Sequence, residues 1–427
     1  MSERTSEPPI CGTAGPGPGT PWLHRHAATL SRLVSRFSAI RASAVYGLSG
    51  GAFAVGNLLL ARSMPVGEFG RFALALALFN IFAVIAPIGL DQVMLRHRIR
   101  LGPRLVGLLL LAGAAIGGAV GIGAVHLGGF PLADAAVLAI CILAGGMVFV
   151  VGARLRAAMR EFSALLAATA ASWLLLAIGL LALVVPMPMS LLPLILFTAG
   201  NVATAAIGWI AITRARPAPM AEAARIPWRE AASLLSLSTI GTITLQLERL
   251  LVPLALGLED LAVFSVLASV ALFPFRMAAS GAGFGLVPKL RATFDRAARR
   301  RLVRDELLSV GALLAGASLC VAVAAPMVAG WLTGGRYQIG LALVLSACVN
   351  GSAKVLQAVP RAILTGCGTE RDIALLSRWG WLGLVAGTLC AFGAAGWGLA
   401  GVIYGIALGS LVGGIPAAIL AARRLGR

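Results

Sequence analysis

Leu245-Gln246-Leu247-Glu248-Arg249-Leu250-Leu251 leads into a short turn, Leu256-Gly257-Leu258-Glu259-Asp260. An apolar run follows that carries Phe273-Pro274-Phe275-Arg276 and closes at Gly285-Leu286-Val287-Pro288-Lys289-Leu290. Two segments of membrane-spanning length therefore hold Glu248, Arg249 and Arg276 within them. An ionisable side chain in hydrocarbon costs upward of ~2.5 kcal/mol on insertion scales, so it faces a protein cavity or a partner rather than lipid.

Working outward, the composition agrees with a membrane setting. The chain is 59% hydrophobic and 12% charged, whereas soluble domains average about 45–50% and 25%. The reading is an all-α polytopic membrane protein. A net charge of +19 would suggest a nucleic-acid partner in a soluble chain. In a membrane protein, excess arginine first marks cytoplasmic loops, so no nucleic acid is expected. Of six cysteines, Cys141, Cys320, Cys348, Cys367 and Cys390 fall in or beside apolar runs without paired spacing. No disulfide framework, metal site or cofactor is expected.

Residues 1–36 are polar and rich in Pro and Gly, too poor in apolar surface to order themselves. His24 and His26 read there as part of a solvated basic tail rather than a metal pair. The run from Ser38 to Met64 exceeds a signal-peptide core and is followed by many similar runs, so it reads as a span.

A criterion of about 20 residues per span gives twelve. The first is 38–62, the second 69–93, the seventh 231–256, the eighth 260–287, the tenth 340–364 and the last 398–422. On alternate loops lie 29 of the 35 lysines and arginines, which predicts both termini in the cytoplasm. The opposite loops are very short, with no room for a catalytic domain, so no enzyme is expected.

Gly67-Glu-Phe-Gly-Arg-Phe-Ala-Leu-Ala75 aligns with Glu259-Asp-Leu-Ala-Val-Phe-Ser-Val-Leu267, each opening the span after an odd-numbered one. This weak repeat predicts two pseudo-symmetric six-helix lobes with a site between them near midplane. The expected division is a cytoplasmic tail 1–36, an N-lobe 37–213, a linker 214–230, a C-lobe 231–422 and a cytoplasmic end 423–427.

Residues from Asn57 to Arg96, including Met64-Pro-Val-Gly-Glu-Phe-Gly-Arg-Phe and Ile88-Gly-Leu-Asp-Gln-Val-Met-Leu-Arg96, resemble the opening helices of the polysaccharide-export flippases of the multidrug/oligosaccharidyl-lipid/polysaccharide (MOP) superfamily. Gln246-Leu-Glu-Arg-Leu-Leu251 with Gly257-Leu-Glu-Asp-Leu-Ala-Val-Phe-Ser265 is similar to that family's seventh and eighth helices. Glu248 and Ala262 depart from the pattern, which has Asp and Gly there. The resemblance implies a bacterial inner-membrane flippase of the O-antigen type. Such a protein carries an undecaprenyl-diphosphate-linked oligosaccharide to the outer leaflet by alternating access, as a monomer, with membrane lipid and a polysaccharide polymerase as partners.

The residues suit an anionic head group. Arg276, Arg249 and Lys354 would form a ladder of cations at different depths, with Arg41 at the inner mouth, and guanidinium donates two parallel hydrogen bonds to phosphate. Snorkelling, or pairing with Glu248, is the alternative for Arg249 and Lys354. Topology anchoring is the alternative for Arg41. Thr239, Thr242, Gln246 and Arg249 share one face of span seven, lining a sugar path or joining helices. Glu248 and Asp91 are the candidates for ion coupling, or else structural partners of nearby basic groups. Two rivals stand beside the flippase: a MATE-type drug or cation antiporter, which needs more membrane carboxylates, and a membrane-embedded polysaccharide polymerase or ligase, which needs a large outer loop.

Overall fold

Proline and glycine punctuate the apolar runs and set where each helix ends. In the computed structural model, residues 45–97, 102–158, 160–214, 227–275 and 295–426, with Leu286 and Leu290, are described. Those from Tyr46 onward belong to one compact unit. Helix α1 covers 45–63. Then come α2 Val66–Ile85, α3 Leu90–His97, α4 Pro103–Gly128, α5 Leu132–Ala157, α6 Glu161–Leu181, α7 Leu191–Thr213 and α8 Trp228–Ala255. Helix α9, Leu258–Leu267, continues through a π turn at Ala268–Leu272. Helices α10 Arg296–Leu332, α11 Leu341–Cys367, α12 Glu370–Gly393 and α13 Gly398–Gly426 complete the order.

Ten of the described helices are long and apolar enough to cross a membrane. With α1 and the 28-residue α8, whose polar side chains lower its hydropathy, twelve long helices follow one another in the expected order. This is an all-α, multi-pass membrane fold.

The second span, expected to run unbroken over 69–93, is interrupted. Pro87 cannot donate to the preceding turn, and the chain turns through left-handed conformations at Ile88 (φ 48°) and Gly89 (φ 77°) before α3 begins. Glycine is required at 89 for a second reason: a Cβ there would lie 2.3 Å from the Ala231 carbonyl oxygen of α8. The π turn in α9 has a comparable cause. Pro274 supplies no N–H to the turn before it, and the helix widens just ahead of it.

Small residues bring helices into backbone contact, the usual means of association where lipid removes the hydrophobic driving force. Helices α12 and α13 meet along Gly383 and Gly387 against Gly409 and Gly413, with Gly405 against Cys390 and Ala391; a Cβ at Gly409 would lie 2.1 Å from Gly387 Cα. On α4, Gly117 and Gly121 lie against Ala139 and Ala135 of α5. The repeat segments meet directly, since α2 packs on α9 and a Cβ at Gly70 would lie 2.0 Å from the Leu258 carbonyl oxygen.

Candidate functional site

The α8 sequence Gln246-Leu247-Glu248-Arg249 turns consecutive charges in different directions, because neighbours on a helix are separated by ~100°. Glu248 is fully buried. Its Oε1 pairs with Lys354 Nζ of α11 and accepts from Asn350 Nδ2 at 2.6 Å. Glu248 Oε2 and Asn350 Oδ1 are buried acceptors with no hydrogen-bond partner among the described residues. A carboxylate in this position persists because an ammonium and an amide replace part of its lost hydration.

Arg249, 2% exposed, lies elsewhere. Its guanidinium carbon sits 5.6 Å from the centre of the Phe53 ring of α1, and Nη1 donates to Gln246 Oε1 at 3.3 Å. A guanidinium over an aromatic face gains ~0.5–2 kcal/mol, most when desolvated. The same region joins the first and second halves of the chain through Asn57, whose Nδ2 donates to Ser269 Oγ at 2.8 Å and to the Ser265 carbonyl at 3.2 Å.

Of the other expected site residues, Arg41 and Arg276 lie outside the described residues. Thr239 is half-buried. Thr242 is half-buried too, and its hydroxyl donates back along α8 to the Ser238 carbonyl at 2.9 Å. Asp91 is buried on α3 and accepts from Gln92 at 2.8 Å; no hydrogen bond among the described residues joins it to the Glu248 group. Arg71 and Glu68 pair at 2.5 Å beside the α1–α2 turn.

Sequence reading singled out Lys354 but passed over its neighbours. Asn350, Lys354, Gln357 and Arg361 stand at i, i+4, i+7 and i+11 on α11, one face by the same arithmetic that grouped the α8 residues. Asn350 and Gln357 are buried. Gln357 Nε2 donates to the Ser410 carbonyl of α13. Phe53, the platform for Arg249, carries no local signal, since its role depends on packing between distant segments.

No family model matches the chain, and no curated protein matches it in sequence. Solved structures do. The inward-facing conformation of a multidrug-resistance MATE family transporter of the MOP superfamily superposes with a TM-score of 0.63 at 15% identity, over 90% of this chain and 94% of that one. Lipid II flippase MurJ in an inward closed conformation gives 0.66 at 12% identity, over 90% and 87%. A MATE structure in the straight conformation gives 0.55 at 14% identity, over 91% and 96%. The chain is thus a multi-pass membrane protein with the fold shared by MATE transporters and the MurJ flippase. At these identities the likeness concerns the fold.

Proposed function

We propose that the protein is a flippase for a lipid-linked oligosaccharide, moving an undecaprenyl-diphosphate-linked glycan from the inner to the outer leaflet of a bacterial inner membrane. The observation that carries this reading is the burial of Arg249 where α8 meets α1, with Lys354 half-buried on α11 in the same half and paired with Glu248, the residue next to Arg249. A diphosphate crossing ~30 Å of hydrocarbon needs fixed cations in place of its hydration. Guanidinium suits that task because it stays charged and donates in a planar fork. Arg276 and Arg41 would extend the path, with Thr239, Thr242 and Gln246 beside it. The lobes 37–213 and 231–422 would rock about the linker 214–230, both termini remaining cytoplasmic.

The same fold serves MATE transporters, so a drug or cation antiporter is the reading to set beside it. Such a protein needs a carboxylate ready to take a proton or a metal ion. Glu248 already engages Lys354 and Asn350, which takes it from that role and leaves Asp91, buried on α3 beside Gln92, as the carboxylate an antiporter would use.

The test is translocation of a lipid-linked diphosphate oligosaccharide by the purified chain in proteoliposomes. A drug-resistance screen in an efflux-deficient host runs alongside it. Lipid transfer without resistance supports the proposal; resistance without lipid transfer replaces it with the antiporter.

A further inference from the structure

Helix α10 holds 37 residues, a rise of ~55 Å, against ~30 Å of hydrocarbon and ~40–45 Å with both head-group layers. Its apolar part accounts for the membrane. Leu308, Leu319, Val323, Met327 and Trp331 are 64–78% exposed along ~35 Å of the helix. This side therefore meets acyl chains, and it ends on a tryptophan of the kind that marks a membrane boundary. The opening turns, by contrast, carry Arg296, Arg299, Arg300, Arg301 and Arg304.

Those arginines continue the lipid-facing side. Arg301, Leu308 and Leu319 stand at i, i+7 and i+18, within ~20° of one another at ~100° per residue, and Arg300 and Arg304 flank Arg301. Arg296, Arg300, Arg301 and Arg304 are all exposed. The rest of the helix holds them in place. Val303 and Val310 are buried, Leu302 packs on the core, and Arg300 Nε donates to the Leu425 carbonyl of α13 at 3.2 Å. That contact brings the last turn of α13, with exposed Arg423, alongside. The backbone at the start of α10 adds little, because Asp295 takes the Ala297 and Ala298 N–H groups. Nearby carboxylates do not cancel the charge either. Asp305 lies 3.9 Å from Arg304 with both side chains in solvent, where such a pair is worth little. Glu306 is half-buried and ~140° round the helix from Arg301.

We infer that Arg300, Arg301 and Arg304 form a binding site for the head-group phosphate of an anionic phospholipid that stays in its leaflet, with its acyl chains against Leu308 and Leu319. By the helix rise, Arg304 stands ~6 Å and Arg300 ~12 Å beyond Leu308, at the depth of the ~5–8 Å head-group layer and its edge. Both distances suit the ~8–10 Å over which an anionic membrane surface acts on a cation. Guanidinium groups give phosphate charge-assisted, forked donors, whereas a zwitterionic head group also carries an ammonium that the cluster repels. The site lies on the exposed surface of the bundle, so this lipid is a neighbour rather than cargo, and the inference does not rest on the flippase reading.

The experiment places the full chain in nanodiscs of equal phosphatidylcholine and phosphatidylglycerol, releases it into native mass spectrometry and reads the ratio of the two lipids retained. Wild type should keep phosphatidylglycerol in excess. An arginine near an anionic surface is worth about fivefold in lipid affinity. Arg301→Gln should therefore lower the ratio severalfold, and the triple variant Arg300→Gln/Arg301→Gln/Arg304→Gln should lower it about tenfold or more. Asp305→Asn, which removes the carboxylate beside Arg304, should raise the ratio; a gain of binding keeps the test decisive if the triple variant fails to fold. Arg156→Gln, at an exposed arginine in the last turn of α5, removes the same charge elsewhere and should leave the ratio unchanged. A triple variant with the wild-type ratio would remove the site. A fall with Arg156→Gln as large as that with Arg301→Gln would assign the preference to net charge alone. Displacement of the retained phosphatidylglycerol by millimolar inorganic phosphate at constant ionic strength would assign the arginines to soluble anions. Either of these last two results overturns the proposal.

Discussion

Glu248 of α8 and Lys354 of α11 form an ion pair whose carboxylate is wholly withdrawn from solvent and shared with Asn350. Removing one member of such a pair leaves an uncompensated buried charge, at a cost of ~3–5 kcal/mol, whereas replacing both by apolar groups is often nearly neutral. Glu248→Gln should therefore lower the unfolding temperature strongly, and the double variant Glu248→Leu/Lys354→Leu should recover most of it. A double-mutant cycle on purified protein measures this. Equal damage in the single and double variants would show that the pair does not stabilise the fold as described.

Arg249 rests on Phe53 across the contact between the two halves of the chain. If its charge serves the substrate, Arg249→Gln should reduce lipid transfer at least tenfold. Phe53→Leu, which keeps the charge and removes ~0.5–2 kcal/mol of ring attraction, should cost severalfold at most. The proteoliposome rate separates these. Full transfer by Arg249→Gln would confine the residue to joining helices. Arg276→Glu gives an independent test of the cationic path: it should abolish transfer without loss of protein.

Gly409 meets the backbone of Gly387 so closely that a methyl group would sit 2.1 Å from a Cα. Overpacking typically costs ~1–3 kcal/mol, and more where backbone rather than a flexible side chain must move. Gly409→Ala should thus destabilise the second half of the molecule, while Gly118→Ala, with nothing within 4 Å of the new atom, should be neutral or slightly stabilising. Unfolding temperatures of the two variants in one detergent decide the matter. A harmless Gly409→Ala would mean that α12 and α13 do not pack as described.

These contacts show which parts of the molecule could be read before folding and which could not. The helices were legible because runs of Leu, Ala and Ile are bounded by local signals, such as Pro65 before α2 and Gly257 before α9. The break at Pro87-Ile88-Gly89 was not, since three residues inside an apolar run change neither its length nor its hydropathy. Glu248 and Arg249 stood out as charges in hydrocarbon-grade sequence. That they diverge, one toward Asn350 and Lys354 and the other toward Phe53, depends on residues about 100 and 200 positions away. The α11 stripe from Asn350 to Arg361 was available by helical counting alone, but Arg361 sat close enough to a basic loop to be counted with it.

The loop between α10 and α11 reaches back to the first half of the chain at the end expected to face outward. Arg336 Nη1 donates to the Met64 carbonyl at 2.5 Å and to the Arg62 carbonyl at 3.3 Å, and the Tyr337 ring meets Phe69 edge-on at 6.3 Å. Burial pushes the Tyr337 hydroxyl up to about 12, so the phenol stays neutral and the contact persists across the working pH range. The acceptors are backbone carbonyls, which mutation cannot remove, so Arg336 is the side to change. A charged donor to a carbonyl contributes ~1.5–3 kcal/mol. If the two halves separate at this end during transport, Arg336→Ala should favour the separated state. Amide hydrogen exchange over residues 62–70 should then speed up roughly tenfold or more, while exchange in α12 and α13 stays unchanged. Unaltered exchange at 62–70 would show that Arg336 does not hold the halves together, and uniform acceleration over the whole chain would show general destabilisation instead.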